Sequence, residues 1–416
     1  HQGILSITVP PGTYKITRKL QPKSGQVFRG AGSEKTTLRF YLGTAMSSHC
    51  LDAIGSLGTY GAILSGATKG STQIVVANIS AFNVGNVIDI RQANEDVWHS
   101  GCRDEAKLHS ASGTWAKNCK GEMAVVTAKS GNTLTLDHAL FTTLNTNASP
   151  QVCVVNAARN FRIEDMKVER SDSPGGHESA SWGATFFFSK CANVWLKRVY
   201  SYKPSQHHCM FEFLYRGEFR QCYFHELWNI SGTGEGYGWD FRNHCTACRV
   251  EDNCANRIFM ALGPSLGTCG TVIAYNAIMN HVTAPIDNND SWVIDCEFHG
   301  WQAHHNLVEG NILNRFSASA YWGPCPTQTV LRNRVKNAIS IYDKSNDCTL
   351  LGNEVYGTNP SIFLKSNVTG TVKHGNTVGG TTQWDAGIAD HVLPASLLYH
   401  SKPSYFGTCP WPAFGP

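Results

Sequence analysis

Charged side chains are scarce in this sequence. Asp, Glu, Lys and Arg make up 16% of the 416 residues, whereas soluble proteins usually contain roughly 25%. The net charge is only +4, and no cluster of Lys and Arg resembles the footprint of a nucleic-acid-binding protein. We therefore expect no nucleic-acid partner, although a few local cations would be enough to hold a polyanion.

Long apolar runs and helical periodicity are missing as well. The longest apolar stretches, such as QVCVVNAA at 151–158, are far shorter than the roughly 18 residues of a membrane span. The sequence therefore predicts no transmembrane segment. It also begins at His1, without Met and without an apolar leader, which we interpret as a processed or truncated chain.

Cysteine, by contrast, is abundant, with 15 residues. Several lie close together in the sequence, as Cys102 and Cys119 do. This content is unusual for a cytosolic protein, and it favours disulfides formed in an oxidising compartment and hence a secreted, extracellular protein. A zinc site is the alternative. Its ligands would be Cys245, Cys248, Cys254 and Cys269.

A short segment with an apolar pair, two variable positions and an asparagine recurs through the second half of the chain. Examples are NLVEGNIL, TVLRNRVK and TLLGNEVY. Successive asparagines are 23, 35, 22, 20 and 23 residues apart, and the long interval contains the polar stretch APIDNNDSW, which we interpret as an inserted loop. The aligned asparagines are Asn253, Asn276, Asn311, Asn333, Asn353 and Asn376.

Each repeat reads as short alternating strands and turns, with no stretch of about ten residues that has helical periodicity. This pattern predicts an all-β, single-stranded right-handed parallel β-helix, in which each coil stacks about 4.8 Å from the last. A leucine-rich repeat would need a fixed leucine pattern that is absent. Asparagine tolerates left-handed turn angles, and equivalent amides one coil apart can hydrogen-bond in a ladder. We therefore predict a structural role for the aligned asparagines.

The chain is predicted to be one domain with two additions. The β-helix covers residues 1–392, and several hairpin-like strands at roughly 60–150 predict an antiparallel β insertion near the N-terminal coils. The segment 393–416 is rich in Pro and aromatic residues. We expect it to be a tail that packs on the outside of the solenoid.

The segment VPPGTYKI, followed by FRGAGSEKTTLRF, resembles the opening of pectate-lyase-like right-handed β-helix proteins. Later segments such as SQHHCMF, GTGEGYGWDF and HNLVEGNIL resemble a secreted microbial branch of that superfamily. The resemblance covers nearly the whole chain and implies the fold, but lyases, hydrolases, epimerases and noncatalytic surface proteins share it. The family's usual opening helix would lie before His1, which implies a missing or altered N-terminal cap.

Two signatures of related enzymes are absent. The sequence lacks the paired Asp and Gly-His-Gly motifs of polygalacturonase-like hydrolases and the Arg-x-Pro-x-x-Arg motif of pectate lyases. A pectin-degrading activity therefore does not follow from the resemblance.

Outward side chains of a β-helix line a shallow groove at intervals of roughly 5 Å, comparable to one sugar residue of a polymer. This spacing favours a polysaccharide or another glycan as the partner. The candidate catalytic residues are His208, Asp240, Arg242 and His299. The candidate substrate-binding residues are His207, Trp239, Trp301, His304 and Trp322, and His244 and His305 lie in the same segments.

β-Elimination of a uronate is the first candidate reaction. It needs a cation that neutralises the sugar carboxylate and a base that takes the α proton, often with Ca²⁺. We expect His208 or His299 to be the base and Arg242 the cation, and we take Ca²⁺ as a candidate cofactor.

Hydrolysis is the second candidate reaction and needs two carboxyl groups. Asp240 with Glu212 or Glu235 is the best pair that the sequence offers. We favour a lyase over a hydrolase.

A noncatalytic role is the alternative to both reactions. Exposed coil ends promote stacking, so the chain could be an extracellular building block or adhesin that associates with itself end to end.

Overall fold

Parallel strands of successive coils stack on one another along three faces in the computed structural model. The structure describes residues 5–43, 48–172, 183–230, 236–282, 294–318 and 322–416. We name the faces A, B and C in the order in which the chain passes through them. The predicted parallel β-helix is confirmed.

The strands divide among the three faces, and several long strands bend from one face to the next. Face A contains β5 (Leu51–Ile54), the start of β14 (Ala184–Tyr202), the start of β15 (His207–Arg220), β17 (Tyr237–Arg242), β20 (Met260–Pro264), β23 (Cys296–Phe298), the ends of β25 (Ile312–Ala318) and β27 (Arg334–Ile341), and β30 (Ser361–Leu364). Face B contains β1 (Leu5–Thr8), β3 (Gln26–Arg29), the start of β13 (Ala158–Arg170), the middle of β14, the end of β15, β18 (Arg249–Glu251), β21 (Val272–Ala274), β24 (Leu307–Glu309), β26 (Thr329–Leu331), β28 (Thr349–Leu351) and β31 (Val372–His374). Face C contains β2 (Gly12–Ile16), β4 (Thr36–Phe40), the ends of β13 and β14, β16 (Tyr223–His225), β19 (Cys254–Asn256), β22 (Ala277–Met279), the starts of β25 and β27, β29 (Glu354–Val355) and β32 (Asn376–Val378).

Alternating apolar residues fill the space between the faces. In β14, Phe186 and Phe188 are fully buried, because successive side chains of a strand point to opposite sides. The ring of Phe188 stacks on that of Phe211 one coil later, with centroids 5.6 Å apart, and Phe211 contacts Phe241 on the following coil. Each buried side chain of this size contributes about 1.5–3 kcal/mol to folding, so the stacked rings tie neighbouring coils together.

The turn between faces B and C carries the asparagines. The side-chain amide of each of the first five donates to the side-chain Oδ1 of the next asparagine, with distances of 2.9 to 3.0 Å. The six residues from Asn253 to Asn376 thus form a continuous ladder, and all are buried. The left-handed angle does not fall on the asparagine, as the sequence suggested, but on the residue before it, such as Asp252 (φ 55°) or Gly310 (φ 66°).

An antiparallel β-barrel is inserted at the A–B turn that follows β5. Its strands are β6 (Ser56–Leu57), β7 (Gly61–Ser65), β8 (Gln73–Val76), β9 (Val87–Arg91), β10 (Gly121–Ser130), β11 (Thr133–Leu136) and β12 (Gln151–Asn156). The order β12-β7-β8-β11-β10-β9 closes because β9 also pairs with β12. The predicted antiparallel insertion is therefore present, and it is a closed barrel rather than an open sheet.

The segment between β9 and β10 contains one short α-helix and one 3₁₀ turn of the insertion. A 3₁₀ turn at Asp96–Trp98 precedes the helix α1 (Glu105–Ser112). Further 3₁₀ turns lie at Ile79–Ala81, Thr146–Ala148 and Ser404–Phe406. No helix in the described part of the chain is long and apolar enough to cross a membrane.

The insertion lies along the A–B turns of the later coils. The backbone N–H of Met123 donates to Thr246 Oγ1 at 2.9 Å, and the Tyr215 hydroxyl donates to Asp137. Farther along, Lys344 Nζ donates to the carbonyl oxygen of Val97 at 3.1 Å. One edge of the solenoid is therefore covered by the insertion.

The C-terminal segment runs over face B. Arg332 donates to the carbonyl oxygens of Pro394, at 2.8 Å, and Pro416, at 2.9 Å. Tyr405 donates to the buried carboxylate of Glu251 at 2.8 Å. At the last coil, β33 (Thr381–Gln383) pairs antiparallel with β32, which covers the edge of that coil on face C.

The expected disulfides are absent. All fifteen cysteines, each within the described residues, carry free thiols, and only Cys409 is exposed. Most point into the coils, where the Sγ of Cys222 or Cys348 lies within hydrogen-bond distance of a turn carbonyl oxygen. Cysteine here acts as a small buried apolar residue with a weak donor, which is why a high cysteine content gave the wrong prediction.

Candidate functional site

One outward column on face A collects the polar side chains that could act on a substrate. The pairing of β15, β17 and β20 aligns Met210, Asp240 and Gly263. Leu262 pairs with Cys296 on the next coil, which places Glu297 beside Gly263. Ser317 follows Glu297 in the same column. Two carboxylates therefore stand two coils apart, with a glycine between them.

Asp240 is buried, with 2% of its surface exposed. Arg242 Nη2 lies 2.7 Å from its Oδ2 and His207 Nε2 lies 3.4 Å from the same atom. Burial alone would raise the pKa of Asp240, but the Arg242 guanidinium and the His207 ring lower it below its ordinary value. The same ion pair raises the pKa of Arg242 despite its burial. Asp240 is thus held as a carboxylate.

His207 is held flat against Tyr237, the equivalent residue of the next coil. The two rings are parallel, with centroids 4.8 Å apart, and the histidine is fully buried. This stack fixes the side of the imidazole that faces Asp240. His207 is therefore positioned beside Asp240, and its direct contact with a substrate stays a prediction.

Glu297 forms a second centre with His299. His299 Nδ1 lies 3.0 Å from Glu297 Oε1, and Glu297 is only 4% exposed. The hydroxyl of Ser317, next in the column, is buried without a hydrogen-bond partner. A ligand hydroxyl could satisfy it.

Glu297 was not among the residues predicted from the sequence, although the sequence contains a signal for it. In the segments WDF and CEF, Asp240 and Glu297 stand between two core residues. Aligning the segments on their core residues would have paired the two carboxylates.

A third acidic residue, Asp295, lies just before β23. It is fully buried, and burial raises its pKa to about 7 although it accepts the backbone N–H of Asn314. Asn314 belongs to the next coil, so we assign Asp295 to coil-to-coil support.

Two predicted site residues face the core instead of the groove. His208 is fully buried, accepts or donates a hydrogen bond of 2.8 Å with Ser201 Oγ and stacks on Phe224. Burial lowers its pKa well below the ordinary value. Trp239 is also fully buried and stacks on the same ring, with its centroid 4.1 Å from that of Phe224. His208 as base and Trp239 as sugar platform are therefore corrected.

The predicted residues on the A–B turns lie under the insertion. Trp301 is 1% exposed and contacts the rings of His99 and Trp115. Trp322 packs edge-on against Trp115 at 5.1 Å. Trp301 is buried and presents no face to a sugar, so that prediction was wrong. Trp322 is partly exposed, and its role as a sugar platform stays a prediction.

The histidines of the same turns are engaged as well. His304 is buried beside His305, and burial lowers the pKa of His305 to about 4. His244 lies 2.7 Å from Asp89 Oδ1 and 2.7 Å from the carbonyl oxygen of Asn118, both in the insertion. These residues dock the insertion, and the substrate-binding role predicted for His304 is corrected.

The remaining predicted acids have different positions. Glu212 is half-buried, pairs with Arg242 across the strands and accepts a hydrogen bond of 3.0 Å from Ser189 Oγ. Glu235 lies outside the described residues. The carboxylate column therefore offers Glu297, rather than Glu212, as the partner of Asp240.

A depression of about 240 Å³ lies on face B, away from this column. Arg162 lies over the ring of Trp195 at 4.5 Å, and the indole N–H of Trp195 donates to Glu218 at 3.3 Å. The polar groups of this depression are thus engaged with one another.

Potential metal ligands cluster elsewhere. Among the described residues, one group of three His, Cys, Asp or Glu side chains lies close enough to share an ion, and it consists of Asp96, His99 and His109 in the insertion. The cysteines of the alternative zinc site form no such group in the described part of the chain. A calcium ion in the groove stays a prediction.

Comparison with known proteins identifies the fold. No family model and no curated protein matches the sequence. Among solved structures, the tailspike gp61 of Pseudomonas phage phi297 is similar, with a TM-score of 0.57, 14% identity and coverage of 90% of this chain and 66% of that one.

Two further phage proteins have TM-scores of 0.50. They are the tailspike gp49 of Pseudomonas phage LKA1, with 13% identity, and the Gp54 tailspike of Acinetobacter baumannii bacteriophage AP22, with 14% identity. The chain covers 74% and 64% of those two proteins, so it spans about two thirds of the length of these structures. At such identities the similarity establishes the β-helix fold that this chain shares with the three tailspikes.

Proposed function

We propose that the protein hydrolyses a polysaccharide bound along face A, with Asp240 and Glu297 as the two carboxyl groups. One observation carries the proposal: both residues point outward from the same column, two coils apart, with Gly263 between them. Gly263 adds no side chain of its own between the two acids, and Met260 Sδ and the Tyr237 ring lie 3.3 and 3.4 Å from the position that a Cβ would take there.

The separation of the two acids favours hydrolysis with inversion. Coils stack about 4.8 Å apart, so the two backbones are separated by about 9.6 Å. Inverting glycosidases place their carboxyl groups about 6.5–9.5 Å apart to leave room for a water molecule, whereas retaining enzymes need about 5–5.5 Å. Flexible side chains on backbones two coils apart match the first arrangement.

The two acids have different environments, which suits different roles. Asp240 is kept ionised by Arg242 and His207, so we assign it as the base that activates water. Glu297 is then the acid that protonates the leaving oxygen. His299, 25% exposed and 3.0 Å from Glu297, connects this acid with solvent and can return its proton.

A bacterial surface glycan is the substrate class that we propose. The spacing of the coils, about 4.8 Å, is comparable to the length of one sugar residue in a polymer. The AP22 tailspike was determined in complex with a capsular saccharide of A. baumannii, which supports the same class here. An extracellular location and membership of the pectate-lyase-like superfamily belong to this proposal.

β-Elimination, which the sequence favoured, has less support from the geometry. Of the two expected bases, His208 faces the core and His299 is paired with Glu297. The expected cation, Arg242, is paired with Asp240. A lyase would need at least one of these pairs to open on binding.

Cleavage of a panel of bacterial capsular and uronate-containing polysaccharides tests the proposal. We expect new reducing ends, without the ultraviolet absorbance of an unsaturated uronate, and a product whose anomeric configuration is inverted by NMR. Asp240→Asn and Glu297→Gln should each lower the rate by about 10²–10⁴-fold, because each removes a group that transfers a proton.

Glu354→Gln is the matched control, since Glu354 is a half-buried glutamate on face C whose nearest cation, Arg334, lies 3.7 Å away. It should leave the rate unchanged. Full activity in the Asp240 and Glu297 variants would overturn the assignment of the site, and an unsaturated product would show a lyase. Binding without any cleavage would favour the noncatalytic building block or adhesin. Analytical ultracentrifugation would then show whether the protein associates with itself.

A further inference from the structure

A second site lies in the insertion, in the segment between β9 and β10. The 3₁₀ turn at Asp96–Trp98 brings Asp96 and His99 to one side, and His109 approaches them from α1. One ligand atom of each of the three residues lies within 4.8 Å of the others. The closest approach is 3.6 Å, between His109 Nδ1 and Asp96 Oδ1.

His99 is the residue that needs explaining. It is 1% exposed, and neither ring nitrogen has a hydrogen-bond partner. Burying a polar group without a partner costs about 1–3 kcal/mol in proteins. A neutral imidazole with an unshared lone pair, buried beside a second imidazole and a carboxylate, has the features of a metal ligand.

We propose that Asp96, His99 and His109 bind one divalent transition-metal ion of the zinc class. Two imidazoles and one carboxylate prefer Zn²⁺, Co²⁺, Ni²⁺ or Cu²⁺ to Ca²⁺ or Mg²⁺, which prefer oxygen ligands. In a tetrahedral zinc site, with bonds of about 2.0–2.1 Å, neighbouring nitrogen and oxygen ligands are about 3.4 Å apart. The distance between Asp96 and His109 is already close to this value, and a ring nitrogen of His99 lies within 4.8 Å of both ligand atoms.

Glu105 supplies the outer support that metal-bound histidines usually have. Its Oε1 lies 3.6 Å from His109 Nε2, on the side of the ring away from Asp96. Its Oε2 accepts the backbone N–H of Gly101 at 2.9 Å, which fixes the carboxylate. With Nδ1 on the metal, Nε2–H would donate to Glu105, and such a carboxylate raises the basicity of the bound ring.

The ion would add to the contacts that already hold this segment, which include the hydrogen bond from Lys344 to Val97 and the burial of Leu108 and Ala111. The segment between β9 and β10 contains one helix of eight residues, and its cysteines, Cys102 and Cys119, are not linked. The ring of His99 contacts that of Trp301 at 4.9 Å. Metal binding would therefore fix the segment where it covers the A–B turns.

Cobalt and zinc titrations of the untagged 416-residue chain, first treated with a chelator, test the proposal. We expect one equivalent of Co²⁺ to produce the visible absorption of a low-symmetry site, Zn²⁺ to displace it, and protection of the 94–119 segment from proteolysis. Asp96→Asn and His109→Gln should weaken Zn²⁺ binding at least tenfold. Both positions are exposed, so the variants should fold.

Glu105→Gln should weaken binding by about 10-fold or more while keeping one equivalent, because it removes the support of His109 and no ligand. His400→Gln, which changes an exposed histidine outside the cluster, should bind as the unaltered chain does. The proposal is overturned if neither metal binds at one equivalent, or if the Asp96 and His109 variants bind as tightly as the His400 variant.

Discussion

Replacing the central ladder residue Asn311 with Ala should destabilise the protein far more than removing an asparagine elsewhere. Asn311 is fully buried, so water cannot replace its hydrogen bonds. Its Oδ1 accepts from the backbone N–H of Asn276 at 2.9 Å and from the Asn276 amide at 2.9 Å. Its amide donates to Asn333 Oδ1 and to the carbonyl oxygen of Ile273.

The size of the effect follows from the groups that lose their partners. The N–H of Asn276 and the acceptors of Asn333 and Ile273 stay buried in the variant, and each unsatisfied buried group costs about 1–3 kcal/mol. Because some of these groups keep a second partner, we expect a total loss of about 3–5 kcal/mol.

Asn280→Ala is the matched control. Asn280 donates to Asn256 Oδ1 at 3.1 Å, so it makes the same kind of bond between coils, but it is exposed. Water can replace the lost bond, and we expect a change below about 1 kcal/mol. Guanidinium-induced unfolding, followed by far-ultraviolet circular dichroism, measures both. Equal midpoints for the two variants would refute the reasoning, and a lower slope for Asn311→Ala would indicate that only part of the stack unfolds.

Three further predictions concern the thiols, a histidine and a tryptophan. Burial raises the pKa of thiols such as Cys50 and Cys191 to about 12. A thiol reagent should therefore label Cys409 rapidly in the folded protein, and all fifteen cysteines only after denaturation. Cys409→Ser should remove the rapid phase, and several rapid phases would contradict the structure. Burial lowers the pKa of His138, but hydrogen bonds with Asp137 and Glu122 raise it to about 9. Protonated His138 should therefore contribute about 3 kcal/mol to the free energy of unfolding, in full below pH 6.5 and decreasingly as the pH rises to about 9. His138→Gln should lack this pH dependence in the same unfolding assay. Trp301→Ala should lower the free energy of unfolding by about 3–5 kcal/mol, because it leaves a cavity under the insertion, while glycan binding on face A stays unchanged. Weaker glycan binding at unchanged stability would instead support Trp301 as a sugar platform.

The fold was predictable because its signals are local. The spacing between successive asparagines, from Asn253 to Asn376, gives the length of each coil, because each coil repeats the same turn. The ladder hydrogen bonds join equivalent residues about one repeat apart, so aligning the sequence with itself also aligned the structure.

The candidate site was only partly predictable because burial depends on contacts between distant residues. Trp301 and Trp115 are far apart in the sequence, and no pattern around Trp301 indicates that an insertion from the second coil covers it. His207 and His208 are neighbours, yet one faces Asp240 and the other faces Ser201. Asp240 and Arg242 were found, since they alternate with core residues in a long strand, whereas Glu297 lies in a three-residue strand with a weaker signal.

The long reach of the insertion also sets an order of events during synthesis. Cys102 contacts Asp343, 241 residues later in the chain, and a ribosome that adds about 5–20 residues per second needs about 12–48 seconds to make that stretch. The barrel can therefore fold long before the coils that the insertion packs against have been made. Until then, the apolar side chains that the insertion buries against those coils, including Leu108 and Ala111 of α1, are exposed. Each new coil then adds one more set of contacts, so the insertion binds the solenoid progressively, from the earliest coil to the last.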